Sequence, residues 1–137
     1  MIDLCPLLSD KKKDIISAIL PLTSILSGNM LEFNQLLKIS DYNNIIEFMS
    51  SHRNLNEIYI KKGDKGAEYY YRDNKGQIQK MIYICDSNIV AKNTTGCGDV
   101  FNAVVLSGKC YNFNDDKIIK KAVFESGVIA ERELPWI

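Results

Sequence analysis

The sequence predicts an α/β fold, because segments with apolar residues at helical spacing alternate with short segments rich in β-branched and aromatic residues. Its 137 residues, 46% of them hydrophobic, suffice to bury one core but are too few for two ordinary domains. No repeat, low-complexity tract or Pro/Gly/Ser-rich linker interrupts the chain. We therefore expect residues 1–137 to form one unit.

The first predicted helix starts at Ser9 or Asp10, since either side chain can cap it, and it runs to about Leu20. Its apolar residues recur at helical spacing along one face. Pro21 ends the helix, because proline cannot continue the backbone hydrogen-bond pattern. A short strand over residues 24–27 follows.

Two helical segments come before the next strand. Residues 29–39 show a mixed helical pattern. Ser40 and Asp41 can then cap a second helix, whose apolar face includes Ile45. Residues 57–61 are rich in β-branched and aromatic side chains and are predicted to form a strand.

The middle of the chain has the pattern of a β-hairpin. Residues 62–66 contain turn-forming glycines, and residues 67–72 form a tyrosine-rich strand. Residues 73–76 turn the chain, and residues 77–84 return as a further strand. Because no basic groove accompanies Tyr69–Tyr71, we interpret these tyrosines as sheet-surface side chains rather than a base-stacking platform.

Two helices close the sequence. Residues 98–109 are apolar on nearly all sides, which indicates a helix buried against a sheet. Asp115 is predicted to cap the last helix, which continues through Ile129.

The composition excludes several classes of protein. Basic and acidic side chains number 17 each, so the chain lacks the excess of Lys and Arg expected of a general nucleic-acid binder. Its apolar runs are far shorter than the roughly 18 to 20 residues that span a bilayer. The N-terminus has no basic segment ahead of an apolar one, as a secretory signal would have. We therefore expect a cytoplasmic protein with neither nucleic acid nor membrane as a partner.

The cysteines do not have the spacing of a structural zinc site. Cys5, Cys85, Cys97 and Cys110 form no C-x-x-C pair, and the sequence contains a single histidine. We predict that they are reduced and mostly buried.

The most informative segment runs from Asn93 to Asp99 and leads into the apolar helix. Gly96 and Gly98 allow a backbone on which successive N–H groups converge, and a helix N-terminus adds partial positive charge. This combination is typical of a phosphate site. Asp99 would repel a static phosphate but suits a base that deprotonates an attacking hydroxyl. Taken alone, the segment is equally typical of a tight turn into a helix.

A nine-residue segment resembles the C-terminal signature of the PfkB (ribokinase-like) family of carbohydrate and nucleoside kinases, D-T-T-G-A-G-D-x-F. Here the segment is Asn93-Thr94-Thr95-Gly96-Cys97-Gly98-Asp99-Val100-Phe101. Two further stretches resemble family motifs in the same order. Asn29-Met30-Leu31-Glu32 is similar to N-x-x-E, and Gly63-Asp64-Lys65-Gly66-Ala67 is similar to G-x-x-G-A. In isolation, the first is also typical of a helix N-cap and the second of a hairpin turn.

The resemblance implies the C-terminal portion of a ribokinase-like three-layer α/β/α domain with a mainly parallel sheet. The N-terminal half and the lid, which bind the phosphoryl acceptor, would be absent. It also implies ATP-dependent phosphorylation of a hydroxyl on a sugar or nucleoside, with ATP and Mg²⁺ as cofactors. It leaves a homodimer open.

The resemblance further implies a role for each matching residue. Asp99 would take the proton of the hydroxyl. The amides that form the anion hole for the phosphoryl group would be those of Gly96, Cys97 and Gly98. Glu32 would organise Mg²⁺, with Asn29, through water. The residues that contact the nucleotide would be Asn29, Gly63, Gly66, Asn93, Thr94 and Thr95.

Three positions depart from the family pattern. Asn93 replaces an Asp, which removes an anionic contact, and an Asn before Thr-Thr-Gly resembles the pseudouridine-kinase branch. Cys97 replaces an Ala, a small change that leaves the backbone N–H in place. Glu125 falls near the position where many members have an Asn beside the adenine.

The competing hypothesis is a non-catalytic remnant that binds nucleotide or a partner, or an incomplete gene model. Asn93 and Glu125 favour this hypothesis. The residues that favour an enzyme are Asn29, Glu32, Gly96, Gly98 and Asp99.

Overall fold

The structure is a computed structural model that describes residues 1–4, 10–86 and 88–133. Within these residues the chain forms five strands and five α-helices. The strands are β1 (Ile2–Asp3), β2 (Ile25–Asn29), β3 (Glu57–Lys61), β4 (Ala67–Arg72) and β5 (Ile78–Tyr83). The helices are α1 (Asp10–Ile19), α2 (Met30–Leu37), α3 (Tyr42–Ser51), α4 (Cys97–Cys110) and α5 (Asp115–Ala130). The predicted α/β class is confirmed.

The chain divides into two compact units. The sheet unit comprises Met1–Lys61 and Glu68–Met81, and the helix-pair unit comprises Lys62–Ala67 and Ile82–Ile137. Strands β4 and β5 therefore each belong in part to both units.

The sheet has the strand order β1-β2-β3-β4-β5. Strands β1, β2 and β3 run parallel, with Leu26 of β2 opposite Ile2 and Ile58. At the far end of β4 the amide of Arg72 donates to the carbonyl of Asn56, which precedes β3, at 2.9 Å. Strand β4 is therefore antiparallel to β3. The mainly parallel sheet that we predicted is confirmed, because three of its five strands run parallel.

The core of the sheet unit forms where apolar side chains of the three N-terminal helices pack with those of the strands. Leu26 and Ile58, on adjacent central strands, are 0% exposed. Helices α1 to α3 add amphipathic faces that bury apolar area. The cluster contains Leu4, Ile16, Leu20, Leu26, Phe33, Leu36, Ile39, Ile45, Met49, Leu55, Ile58, Ile60 and Tyr70.

Strand β4 carries a buried polar cluster on the same face as Tyr70. The hydroxyl of Tyr70 donates to Oε2 of Glu68 at 2.6 Å, and Nζ of Lys80 lies 3.1 Å from that oxygen. Lys80 also lies over the rings of Tyr70 and Tyr42, at 5.2 and 5.4 Å from their centroids. Burial first, and then the bond to Glu68, raise the pKa of the Tyr70 hydroxyl.

The other face of β4 carries a stacked series of aromatic rings. Tyr69 stacks on Tyr59 of β3 at a centroid distance of 4.8 Å and on Tyr71 at 5.0 Å. Our interpretation of Tyr69–Tyr71 as sheet-surface side chains is wrong for Tyr69 and Tyr70, each of which is 1% exposed. Tyr71 is half-buried. Aromatic residues in a strand fit either a buried or an exposed face of a sheet, so composition alone could not show which of these tyrosines are buried.

The helix-pair unit is built on the packing of α4 against α5. A Cβ at Gly108 would lie 2.5 Å from Cγ1 of Ile118, so glycine allows α5 to approach α4 closely at this point. The buried side chains of the two helices include Phe101, Val105, Ile118, Ile119, Ala122 and Val123.

Several element boundaries differ from the prediction. The strand predicted at 24–27 is Ile25–Asn29, and β1, with two residues, was too short for any pattern to predict. The helix predicted at 29–39 is Met30–Leu37, because Lys38 turns left-handed with φ of 60°. Asn114 rather than Asp115 caps α5, since its Oδ1 accepts from the amide of Asp116. Ser9, the alternative cap of α1, lies outside the described residues.

The cysteines agree only partly with the prediction. Cys85 and Cys97 are free and half-buried, whereas Cys110 is free and exposed, so the prediction of burial is wrong for Cys110. Cys5 lies outside the described residues. Among the described residues, no three His, Cys, Asp or Glu side chains cluster so that they could hold a metal. The described helices include none long and apolar enough to cross a membrane.

Candidate active site

The loop that precedes α4 is held by hydrogen bonds of its own. Oδ1 of Asn93 accepts from the amide of Thr95 at 2.9 Å. The carbonyl of Thr94 accepts from the amide of Cys97 at 3.2 Å. Gly96 has φ of 83°, which favours glycine, and no atom lies within 4 Å of the position that its Cβ would take. The loop therefore reaches α4 through a left-handed residue with open space beside it.

The N-terminus of α4 follows this glycine directly and carries no side-chain cap. The amide of Val100 donates to the carbonyl of Gly96 at 2.9 Å and so makes the first hydrogen bond of the helical pattern. The amides of Gly98 and Asp99 precede that bond, and such amides have no intrahelical acceptor. With the partial positive charge of the helix end, they can donate to a bound anion.

Asp99 lies in the first turn of α4, and its side chain is exposed. Within the described part of the chain, its carboxylate takes part in no ion pair or hydrogen bond. A carboxylate in this position is accessible to a substrate hydroxyl and can accept its proton.

Cys97 is the first residue of α4, and the group predicted to act there is its amide rather than its thiol. Its side chain is half-buried, with Sγ 3.9 Å from the carbonyl oxygen of Asn93. Burial raises the pKa of the Cys97 thiol, so the sulfur stays protonated at neutral pH and is a poor nucleophile. The backbone N–H of Cys97 is in place, as expected for a substitute of alanine, and donates to the carbonyl of Thr94.

The turn between β3 and β4 is the second predicted motif. The amide of Gly66 donates to the carbonyl of Gly63 at 3.0 Å, and the amide of Lys62 donates to the carbonyl of Gly66 at 2.9 Å. Both glycines have positive φ, 60° for Gly63 and 89° for Gly66. A Cβ at Gly66 would lie 1.9 Å from the carbonyl oxygen of Tyr83, whereas Gly63 has open space around it. Packing therefore requires glycine at Gly66, and Gly63 leaves room for a ligand.

The motif from Asn29 to Glu32 forms a complete capping box at the start of α2. Oδ1 of Asn29 accepts from the amide of Glu32 at 2.9 Å, and Oε2 of Glu32 accepts from the amide of Asn29 at 2.7 Å. Glu32 is buried, and Gly28 leaves room for it, since a Cβ there would lie 3.1 Å from Oε2 of Glu32. The prediction that Asn29 and Glu32 cap a helix is therefore confirmed.

The structure arranges the predicted residues in three features. Asn93–Asp99 form one continuous loop and helix start, and Gly63 and Gly66 belong to the same unit as that loop. Asn29 and Glu32 belong to the sheet unit. Glu125 forms an ion pair with Lys121 at 2.8 Å on α5.

Sequence reasoning missed the attachment of the loop to the end of α5. The carbonyl of Ala130 accepts from the amides of both Lys92 and Asn93, at 2.7 and 3.1 Å. These partners lie almost forty residues apart in sequence, and nothing in the local pattern around either of them signals the contact.

The fold and the site define a class of protein, namely an α/β protein in which a helix N-terminus without a side-chain cap lies next to an exposed carboxylate. Residues 3–132 match the family described as pfkB family carbohydrate kinase, and the chain belongs to that family. Among curated proteins, none matches the chain.

Solved structures share the fold. A protein described as a ribokinase II from E. coli, in complex with ATP and Mg²⁺, is 21% identical with a TM-score of 0.76, and the match covers 97% of this chain and 42% of that one. A protein described as a sugar kinase from Clostridium perfringens is 20% identical with a TM-score of 0.74, covering 97% and 41%. A nucleoside kinase from Burkholderia thailandensis, in complex with inosine, is 17% identical with a TM-score of 0.67, covering 95% and 40%. The chain therefore spans about two fifths of the length of these structures.

Proposed function

We propose that this chain forms the ATP-binding and catalytic portion of a kinase that phosphorylates a hydroxyl of a sugar or nucleoside, and that it corresponds to the C-terminal portion of such a kinase. The observation that carries the proposal is the uncapped N-terminus of α4 beside the exposed carboxylate of Asp99. Membership of the pfkB family, and a fold shared with a protein that binds ATP and Mg²⁺, support it.

Phosphoryl transfer depends on positioning and charge neutralisation more than on covalent chemistry. In the proposed reaction Asp99 accepts the proton of the acceptor hydroxyl, a contribution of about 10²- to 10⁴-fold. The hydroxyl oxygen then bonds to the γ-phosphorus of ATP as the bond from phosphorus to the bridging oxygen of ADP breaks. The amides of Gly96, Cys97 and Gly98 donate to the transferring group, and the Cys97 amide gives up its bond to Thr94 to do so.

The remaining motif residues are assigned to the nucleotide. The turn with Gly63 and Gly66 presents backbone without side chains, so phosphate oxygens can approach it closely. In the loop before α4, Thr94 and Thr95 offer hydroxyl donors, and Asn93 holds the backbone of Thr95. Asn29, which caps α2, is assigned to the nucleotide on the resemblance of its motif alone.

We assign Glu32 to a magnesium ion. Mg²⁺ uses one or two protein carboxylates and completes its octahedral shell with waters and phosphate oxygens. Glu32 uses Oε2 in the capping box, and its Oε1 has no hydrogen-bond partner among the described residues, so it can hold a metal-bound water. When bound with ATP, Mg²⁺ neutralises charge on the phosphates.

The proposal is tested by measuring Mg-ATP binding by calorimetry, together with turnover on pentoses, hexoses and nucleosides, pseudouridine included because of the Asn93-Thr94-Thr95-Gly96 string. Asp99→Asn should lower kcat by about 10²- to 10⁴-fold and leave Mg-ATP affinity within about threefold, because Asn preserves the shape of the side chain. Asp14→Asn is the matched control, since Asp14 is likewise an exposed helix carboxylate that takes part in no ion pair or hydrogen bond among the described residues. Equal turnover of the Asp99 variant and the wild type would refute the assignment of the base.

The same measurements address the alternatives that the sequence left open. Turnover on any acceptor would favour the enzyme over the non-catalytic remnant, whereas Mg-ATP binding without turnover is expected of either, because the half that binds the acceptor would be absent from this chain. Absence of both would refute the proposed function for this chain. Sedimentation velocity of the same samples tests the homodimer.

A further inference from the structure

Asn93 is distinguished in this structure because all four of its polar groups are engaged. Its backbone amide donates to the carbonyl of Ala130 at 3.1 Å, and its carbonyl lies 3.9 Å from Sγ of Cys97. In the side chain, Oδ1 accepts from the amide of Thr95 at 2.9 Å, and Nδ2 donates to the carbonyl of Glu133 at 3.2 Å. One residue thus joins three segments: the loop, the start of α4 and the end of α5.

The chemistry of the two side-chain partners fixes the orientation of the carboxamide. The Thr95 amide can only donate, so the oxygen must face it, and the Glu133 carbonyl can only accept, so the nitrogen must face that group. The two requirements agree.

An aspartate at position 93 could not make both contacts. A carboxylate oxygen can replace Oδ1 and accept from Thr95. The second carboxylate oxygen would face the carbonyl oxygen of Glu133, where two acceptors repel each other. The Asn that departs from the family pattern therefore supplies a donor that the usual Asp lacks.

We infer that Asn93 is a positioning residue that fastens the anion-binding loop to the segment that ends α5, and so fixes the amides at the N-terminus of α4. The inference rests on the proposed function. The attachment is reinforced at Lys92, whose amide donates to the Ala130 carbonyl at 2.7 Å. On this account Asn93 acts on the nucleotide through Thr95 and Gly96 rather than by touching it, and the segment from Ala130 to Glu133 serves the same site.

The test compares Asn93→Asp and Asn93→Ala with wild type in two measurements, amide hydrogen exchange without ligand and calorimetric titration with Mg-ATP. Asn93→Asp should speed exchange at Lys92 about 2- to 12-fold, the effect of one lost hydrogen bond, and leave the Thr95 amide protected. Asn93→Ala should speed exchange at both. The Kd for Mg-ATP should rise by a similar factor in Asn93→Asp. Asn112→Asp adds the same charge at an exposed residue of the same unit and should change neither measurement.

Each outcome decides a separate point. Wild-type exchange at Lys92 in Asn93→Asp would overturn the attachment. Faster exchange with an unchanged Kd would overturn the positioning role, because the attachment would then serve stability alone. If the wild type itself binds no Mg-ATP, the proposed function fails and the positioning role fails with it, while the exchange data still decide whether Asn93 holds the loop to α5.

Discussion

Replacing Gly66 with alanine places a methyl group where the backbone leaves no room for it. The new Cβ would lie 1.9 Å from the carbonyl oxygen of Tyr83 and 2.9 Å from the amide nitrogen of Cys85. Both are backbone atoms, so neither can move aside by changing a rotamer. The φ of 89° at Gly66 adds a conformation that residues with a side chain rarely adopt.

A neighbouring glycine in the same turn serves as the comparison. The strained conformation costs about 1–3 kcal/mol, and forcing a methyl group into filled space costs about 1–3 kcal/mol more. Gly63 has φ of 60° and nothing within 4 Å of its Cβ position, so Gly63→Ala bears a conformational cost alone, whereas Gly66, with φ of 89° and ψ of −130°, bears a larger conformational cost together with the clash. The free energy of unfolding should therefore fall further in Gly66→Ala than in Gly63→Ala, by about 1–3 kcal/mol.

Urea denaturation followed by circular dichroism measures this difference, provided that the dependence on urea concentration is the same in both variants. If the two free energies of unfolding agree within about 0.5 kcal/mol, close to the error of such comparisons, the steric account of Gly66 is refuted.

Three further predictions concern other parts of the chain. Glu32→Ala should lower the free energy of unfolding by about 1–3 kcal/mol, because the Asn29 amide loses its acceptor, whereas Glu32→Gln should lower it much less in the same denaturation assay. A hydrogen bond from Gln79, and to a smaller extent bonds from backbone amides, hold the pKa of Asp73 below its ordinary value. The ionised carboxylate therefore stabilises the fold above that ordinary value, and this stabilisation is lost on acidification. As the pH drops below about 4, the melting temperature of Asp73→Asn should fall less than that of the wild type. Iodoacetamide should alkylate the exposed Cys110 before Cys97, as peptide mass spectrometry would show, and the reverse order would contradict the assigned burial.

The sequence predicted elements best where their signals are local. Strands β3 and β4 begin and end where predicted, because β-branched and aromatic residues fill them and turn residues bound them. Strand β1 escaped prediction, since two residues carry no periodicity and pair only through a partner distant in sequence.

The residues of the candidate site, like the strands, could be predicted only where their signals are local in sequence. The spacing of Asn29 and Glu32 fits both a helix cap and a kinase motif, and only the three-dimensional structure shows that the capping hydrogen bonds form. For Asn93, the residue type predicted a lost anionic contact, but its partner at Glu133 depends on tertiary structure. Local patterns therefore located the loop, and long-range packing decided what its side chains contact.

The division of the hairpin strands between two units has a consequence for synthesis on the ribosome. The residues that form the sheet unit in this chain end at Met81, so we expect this unit to begin folding while α5 is still being translated. The turn around Gly66 is made early but belongs to the later unit, and its close approach to Tyr83 must wait for the end of β5. A nascent chain paused after Met81 has left the ribosomal exit tunnel would thus hold a formed sheet with an unsupported turn.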